Sequence, residues 1–188
     1  ESTPSYKKFL KNAQRNLSDI FYYLGYPSNA TRSQIINACD FILSMYCNEQ
    51  ITDLNLTTSK IFEVKNYYRQ LSFEPLSQSM KSSSPIMREI LRTINNTIEN
   101  KEKVKFSLFS SDDSTIAALL FLLKQSEINL PLASHMSFAI LKKDDAYFVQ
   151  VSLNGNPLNS PFSNENIFSY NEFVKYVNKY IDFCPELP

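Results

Sequence analysis

The chain has 188 residues, no Trp, and equal numbers of acidic and basic side chains, so its formal net charge is zero. This length fits about one domain with a substantial core, and the balanced charge argues against a broad electrostatic surface for nucleic acid or an anionic membrane. The longest apolar run, residues 116–123, is far shorter than the roughly 20 residues of a membrane-spanning helix. We therefore expect no membrane span.

The chain starts with two segments that predict amphipathic helices. Apolar residues recur at spacings of three and four over residues 6–24, and Gly25 is placed to end that helix. Thr31 is a candidate N-cap for a second helix, whose apolar face runs over residues 35–46. Both segments belong to a mainly helical first part of the chain.

Two more helices are predicted before any strand. The third covers residues 59–71, and the fourth covers residues 84–99, with Pro85 in its first turn. The serine-rich residues 77–84 between them predict a loop. Residues 1–102 thus form a predicted helical subdomain.

The second part of the chain, residues 103–188, changes to an α/β pattern. Residues 103–109 alternate polar and apolar side chains as a strand does, and residues 114–124 form a helix that is apolar on nearly all sides. Such a helix is expected to lie buried between layers. The polar residues 110–113 join the two elements.

A hairpin and a closing helix complete the prediction. Residues 135–141 and 146–153 read as two strands, joined by the polar turn 142–145. A turn at residues 154–157 precedes a helix over about residues 170–180. The fold class is therefore α/β, with α and β layers following a helical subdomain.

Three cysteines, Cys39, Cys47 and Cys184, do not make an even disulfide framework, and their spacing matches no zinc motif. His135 is the single histidine, so we expect no metal site. Cys39 and Cys47 would lie about 12 Å apart along one helix, too far for a mutual bridge. Free buried thiols and a disulfide between Cys184 and either of the others remain as alternatives.

Four Asn-x-Ser/Thr triplets make Asn16, Asn29, Asn55 and Asn95 candidate glycosylation sites. Asn, Ser and Thr are common enough in this chain that chance gives a similar number, so use of the sites stays open. The chain begins Glu-Ser-Thr without Met or an apolar leader, and we expect a processed or excised segment.

Adjacent carboxylates, Asp112 and Asp113, stand where the strand pattern changes to the buried helix. One reading is structural, because carboxylates before a helix bind its unpaired amides and offset its positive end. The other is functional, because ligands and catalytic groups of α/β proteins lie where strands lead into helices. A carboxyl group with a raised pKa would act there as a general acid.

Three ordered stretches resemble the histidine acid phosphatase family. Residues 106–116, Phe-Ser-Leu-Phe-Ser-Ser-Asp-Asp-Ser-Thr-Ile, are similar to the family's aromatic-Ser-small-His-Asp-Thr-Thr-Leu strand, turn and helix. Residues 130–140 resemble its Pro-Pro-Tyr-Ala-Ser-Cys strand, and residues 147–158 resemble the next strand with its Asn-Gly-x-Pro-Leu turn. Phe173 matches a Phe after that turn. The resemblance covers about residues 103–180.

The resemblance implies the loss of catalysis. The family forms a phosphohistidine through an Arg-His-Gly-x-Arg-x-Pro segment that is missing from this sequence. Asp112 replaces a phosphate-binding His, whereas Asp113 occupies the position of the acid that protonates the leaving group. Ala139 replaces a Glu, and His135 is expected to be structural.

We therefore expect a catalytically inactive phosphatase-like protein, or the C-terminal portion of one, that serves as a structural or interaction component. Its mixed sheet would lack a central strand, so a partner segment would complete it. The alternative is one chain of a two-chain acid phosphatase whose nucleophilic His and phosphate-binding Arg lie on another fragment. A third alternative is an unrelated helical binding module. The family resemblance implies the secretory pathway, outside the cell or in the lysosome, and no cofactor.

Overall fold

The structure, a computed structural model, describes residues 4–50, 58–73, 76–99, 101, 103–125, 130–161 and 165–181, without the side chains of residues 6, 23, 58, 76 and 77. The chain divides into two compact units, Glu1–Leu71 and Ser72–Pro188. The sequence had placed the boundary after residue 102. Each unit is described by itself below.

The first unit contains helices α1 (Pro4–Asn16), α2 (Ser18–Tyr23), α3 (Arg32–Cys47) and most of α4 (Thr58–Phe73). The single helix expected over residues 6–24 is divided at Leu17, whose φ of −117° and ψ of 15° interrupt the helix. Hydrogen bonds from Leu17 N to Ala13 O and from Phe21 N to Leu17 O, both 2.9 Å, continue across the interruption. The apolar face therefore carries on through the break.

The predicted end of α2 is confirmed at Gly25. Its φ of +68° reverses the chain, its N–H donates to Tyr22 O over 3.2 Å, and the Tyr26 N–H donates to Phe21 O over 2.7 Å. This pair of bonds forms a Schellman motif, which satisfies carbonyls at the helix end. The rings of Phe21 and Tyr26, 6.5 Å apart, pack over it.

The predicted N-cap of α3 is also confirmed. The Gln34 N–H donates to Thr31 Oγ1 over 3.4 Å, and the Thr31 N–H donates to Gln34 Oε1 over 2.8 Å. These two bonds make a capping box, which fixes where the helix begins.

A single apolar cluster holds the first unit together. Its buried members come from all four helices, and they include Phe9, Ala13, Leu17, Ile20, Ile35, Ala38, Cys39, Ile42, Ile61 and Val64. Lys65 is buried next to this cluster and forms an ion pair with the half-exposed Asp40. A buried ammonium group needs such a partner, because its desolvation is costly.

The second unit contains α5 (Leu76–Ile98), α6 (Asp113–Leu122) and α7 (Tyr170–Ile181). The prediction of a loop at residues 77–84 was wrong, and so was the placement of Pro85 in a first turn, since α5 runs through both. Ser83 Oγ donates to Ser79 O over 2.6 Å, and the Ser84 hydroxyl donates to Met80 O. The hydroxyl groups of these buried serines donate to carbonyls of their own helix, so a serine-rich segment can be helical here.

The sheet consists of β1 (Met136–Lys143), β2 (Ala146–Leu153) and the short β3 (Asn156–Pro157) and β4 (Phe168–Ser169). β1 pairs antiparallel along the whole of β2, from Met136 with Leu153 to Lys143 with Ala146, which confirms the predicted hairpin. β3 and β4 pair with the other edge of β2. All these described pairings are antiparallel, whereas the expected mixed sheet would also contain parallel pairs.

The core of the second unit explains why its boundary lies before α5. Residues of α5 pack with α6, α7 and the inner face of the hairpin, including Met87, Ile90, Ile94, Leu119, Leu122, Val149, Val151 and Val177. Phe173 lies at the centre, with its ring 5.5 Å from that of Phe168 and 6.2 Å from that of Phe138. The prediction that α6 is buried on nearly all sides is confirmed.

The strand predicted over residues 103–109 was wrong. This stretch pairs with none of the four described strands, and its apolar side chains are exposed. Alternation of polar and apolar residues fits a strand, but a strand also needs a neighbour to receive its backbone hydrogen bonds. The described part of the chain offers no such neighbour.

The described helices include none that is both long and apolar enough to cross a membrane.

Candidate functional site

The candidate site is the junction at which residues 103–111 lead into α6. Residues 103–112 contain no helix, turn or sharp bend, and none of them has a positive φ. The chain then enters a helix whose buried side chains anchor it in the core of the second unit. The two carboxylates stand at that entry.

Asp112 is the N-cap of α6. Its extended backbone, with φ of −91° and ψ of 173°, points the carboxylate back at the first turn. Oδ1 accepts a hydrogen bond from Thr115 N over 2.9 Å and another from Thr115 Oγ1 over 2.8 Å. The structural reading of Asp112 thus has direct geometric support, and this oxygen is already engaged by the helix.

Asp113 begins the helix itself and is half-exposed. A carboxylate in the first turn is stabilised by the positive end of the helix. Two carboxyl groups thus occupy the end of α6 that would otherwise attract an anion.

The family resemblance implies that Asp112 replaces a His, and two magnitudes bear on what such a replacement does to phosphate binding. Because Asp112 is exposed, its repulsion of one unit of phosphate charge at 4 Å is only about 1 kcal/mol in water. The loss of a hydrogen-bond donor to developing charge costs more, roughly 3 to 4 kcal/mol in a pre-organised site. The missing donor therefore matters more than the added charge.

His135 lies just before β1, and its main chain is clamped to the next turn. Its N–H donates to Asn154 Oδ1, and its carbonyl accepts from Asn154 N, both over 2.9 Å. Asn154, with φ of 50°, and Gly155, with φ of 81°, form the Asn-Gly turn between β2 and β3. Positive φ at both positions is the signature of a type I′ turn.

The imidazole of His135 is exposed, so the structural role belongs to its main chain. Throughout the described residues there is no group of three or more His, Cys, Asp or Glu side chains placed to hold a metal ion. Ser134, His135 and Asn154 lie together at one turn. Asp112 is hydrogen-bonded to Thr115. Ala139 is exposed on β1, and Phe173 is buried in the core.

The candidate glycosylation sites differ in their surroundings. Asn29 is exposed in the turn before α3, and Asn16 is half-buried at the end of α1. Asn95 lies within α5, where its Oδ1 accepts a hydrogen bond from the Tyr170 hydroxyl. Asn55 lies outside the described residues.

The hydroxyl of Tyr170 is well suited to that contact. Burial, and secondly the charge of Glu99, raise the pKa of Tyr170 above its usual value, so the hydroxyl stays protonated as a donor. Asn95 is thereby held by a packing contact between α5 and α7.

Cys39 and Cys47 are free thiols, the first buried and the second exposed. Burial raises the pKa of Cys39 to about 12, with a further upward contribution from Asp40 that Lys65 opposes. Cys184 lies outside the described residues.

No family model matches this chain, and no curated protein matches it. The resemblance to histidine acid phosphatases therefore continues to depend on the residues themselves.

Sequence reasoning anticipated that the carboxylates bind amides of the helix, but it missed one other contact at these sites. The spacing of Asp112 and Thr115 was a readable capping signal, because an N-cap side chain bonds to the third helical residue. The clamp between His135 and Asn154 had no local signal, because 19 residues separate the two partners.

Proposed function

We propose that this chain is a catalytically silent histidine-acid-phosphatase-like protein, or the C-terminal portion of one, and that it serves as a structural or interaction component of a larger assembly. The secretory pathway is its proposed location. A phosphatase-like sheet completed by a segment from a partner is part of the same proposal.

The observation that carries the proposal is the hydrogen bonding of Asp112. At the position where the family holds a phosphate-binding His, this carboxylate accepts from the amide and hydroxyl of Thr115. An ionised carboxylate has no proton to donate to a phosphoryl oxygen. The residue stabilises the start of α6, which is a structural task.

The exposed residues 103–109 give a second line of support for the assembly role. A monomer seldom leaves a contiguous patch of large apolar side chains in water without a binding function. Val104, Phe106 and Leu108 are all exposed here.

The retained Asp113 keeps the two-chain phosphatase as a second candidate function. In that alternative a companion fragment supplies the nucleophilic His and the phosphate-binding arginines, and Asp113 protonates the leaving group. The two candidates differ in what the companion polypeptide contains and in whether the complex hydrolyses a phosphate ester.

The test starts from the native particle that contains this chain. Intact and peptide masses identify each polypeptide in it, and release of p-nitrophenol from p-nitrophenyl phosphate at pH 5 measures hydrolysis. We expect companions without an Arg-His-Gly-x-Arg segment and a rate equal to the buffer blank.

Asp113→Ala supplies the matched control, because it removes the proposed acid but leaves the Asp112 cap in place. An Arg-His-Gly-x-Arg companion together with hydrolysis that D113A abolishes would establish the two-chain enzyme instead. Hydrolysis that survives D113A would point to a contaminating phosphatase.

A further inference from the structure

Residues 103–109 contain no helix, turn or sharp bend, and they pair with none of the described strands. Phe106 is 79% exposed, Leu108 is 81% exposed, and Val104 is 43% exposed. In an extended chain these three side chains share one face, because successive residues point to opposite sides. Large apolar groups aligned in this way are typical of a surface that another chain covers.

The backbone of the same stretch is also available. The hydrogen bonds described for this chain include none between the main chain of residues 103–111 and another backbone group. Edges of this kind accept an added strand, which gains backbone hydrogen bonds and apolar contacts together. Since the stretch leads directly into the buried helix α6, one of its ends is already fixed.

The opposite face of the stretch carries charge. Lys103 and Lys105 are exposed and share that face with Ser107. Opposite charges placed across a pair of strands stabilise the pair, and like charges destabilise it. A well-matched neighbour therefore carries Asp or Glu opposite one of these lysines.

Pairing of residues 103–109 with the same residues of a second copy does not meet this requirement in either symmetric register. Parallel, in-register pairing of two copies would set each lysine against itself. Antiparallel pairing centred on Phe106 would set Lys105 against Ser107 and Lys103 against Phe109. Neither arrangement supplies a carboxylate on the lysine face.

We infer that residues 103–109 are a docking edge for an extended segment of a different polypeptide, apolar at alternate positions and acidic on its other face. The segment adds to this chain as a β-strand. This inference rests on the proposed role of the chain as a component of an assembly, and it names the residues and the partner chemistry of that role.

Hydrogen exchange followed by mass spectrometry on the native particle tests the inference. The alternate amides of residues 103–110 that point toward the added strand, about half of them, should exchange at least tenfold more slowly in the particle than in the same chain isolated from it. The exchange of residues 136–143 in β1 is measured in the same experiment, because the outer edge of β1 also has no described neighbour.

Substitutions then separate the two faces of the edge. F106S/L108S removes the apolar face, and K103E/K105E reverses the charged face, and each should lower the companion recovered with the chain at least tenfold. Leu132→Ser is the matched control, since Leu132 is 54% exposed in the same unit but lies outside the edge. L132S should recover the companion at the level of the unchanged chain.

The outcomes distinguish this inference from the proposed function. An intact complex in which residues 103–110 exchange freely, or in which β1 alone becomes protected, overturns the inference and leaves the assembly role standing. A particle made only of copies of this chain overturns the choice of a different polypeptide. A monomer without companions overturns the assembly role and the inference together. Phosphatase activity in an intact complex with slow exchange at residues 103–110 overturns only the proposal that the protein is catalytically inactive.

Discussion

At the scale of single residues, Asp112 stabilises the start of a helix, in agreement with the structural reading of the two carboxylates. Its oxygen accepts from both the amide and the hydroxyl of Thr115. The side chain thereby caps the first turn of α6, a helix that is buried in the core. The stability of the second unit should therefore depend on it.

Asp112→Ala should lower the free energy of unfolding by about 1 kcal/mol, because an N-cap side chain typically contributes that much. Urea unfolding followed by circular dichroism measures the change. Asp112→Ser is the matched control and should lose much less, since Ser caps helices well. D112N is unsuitable in a secretory host, because it would create an Asn-x-Ser acceptor.

If D112A and D112S both match the unchanged chain, the cap contributes nothing, and the structural account of Asp112 fails.

The two described thiols should react at very different rates. Cys47 is exposed, whereas Cys39 is buried with a pKa raised to about 12. Iodoacetamide at pH 8 should therefore alkylate Cys47 in the folded protein and leave Cys39 unmodified until urea is added. Peptide mass spectrometry reads both sites, and equal rates without denaturant would contradict the burial of Cys39.

The same thiol links stability to alkaline pH. Its pKa is higher in the folded protein than the 9.0 of a free thiol, so the unfolded chain releases a proton first. The stabilising contribution of the protonated thiol is full below pH 9 and is lost as pH rises toward 12. Cys39→Ala should weaken this loss, as measured by urea unfolding at pH 8 and pH 10.

At the scale of elements, the sequence was most informative where a boundary depends on neighbouring residues. Gly25 ends α2, and the capping box of Thr31 begins α3, because these signals act over three or four positions. The hairpin was predicted correctly for the same reason, since alternation and a polar turn are both local.

Two elements were predicted wrongly because their outcome depends on packing. The serines of α5 read as a loop, yet burial against the core of the second unit keeps them helical. Residues 103–109 read as a strand, yet their pairing depends on a neighbour that the described chain does not provide. At the candidate site, the cap was readable from spacing, but the clamp between His135 and Asn154 was not.

Pro85 within α5 gives a direct test of that packing argument. A Pro inside a helix lacks the N–H that would bond to the carbonyl four residues earlier. Because Pro85 is exposed, Pro85→Ala should raise the free energy of unfolding by about 2 kcal/mol, after allowance for the greater freedom of the unfolded chain.

Ser82→Ala is the control in the same turn, since Ser82 is also exposed and its change should stay within about 0.5 kcal/mol. Urea unfolding compares the two variants. A loss of stability in P85A would mean that α5 does not run continuously through this position.

At the scale of the whole molecule, the two units each have an apolar cluster of their own. The candidate glycosylation sites fall in both units, and their surroundings predict which of them a secreted chain uses. Asn29 is an exposed turn residue in the first unit, whereas Asn95 is held by Tyr170 in the second.

A chain secreted by a eukaryotic host should therefore carry a glycan on Asn29 and none on Asn95. A glycan on the Asn95 amide would disturb the hydrogen-bonded contact between α5 and α7. Peptide masses before and after treatment with peptide N-glycosidase locate each glycan, with N29Q as the control that removes the modified peptide.

A folded chain with full occupancy at Asn95 would contradict the packing of Tyr170. An unmodified Asn29 in a chain that has passed through the pathway would show that exposure alone does not select this site.

The exposed residues 103–109 also bear on the life of a copy that fails to assemble. Extended segments fit protease active sites, and trypsin-like enzymes cleave after lysines such as Lys103 and Lys105. Chaperones and proteases triage chains that expose apolar sequence. If residues 103–109 join a companion as proposed, the same stretch would mark surplus copies for removal, and the amount of this chain would follow the amount of its companion.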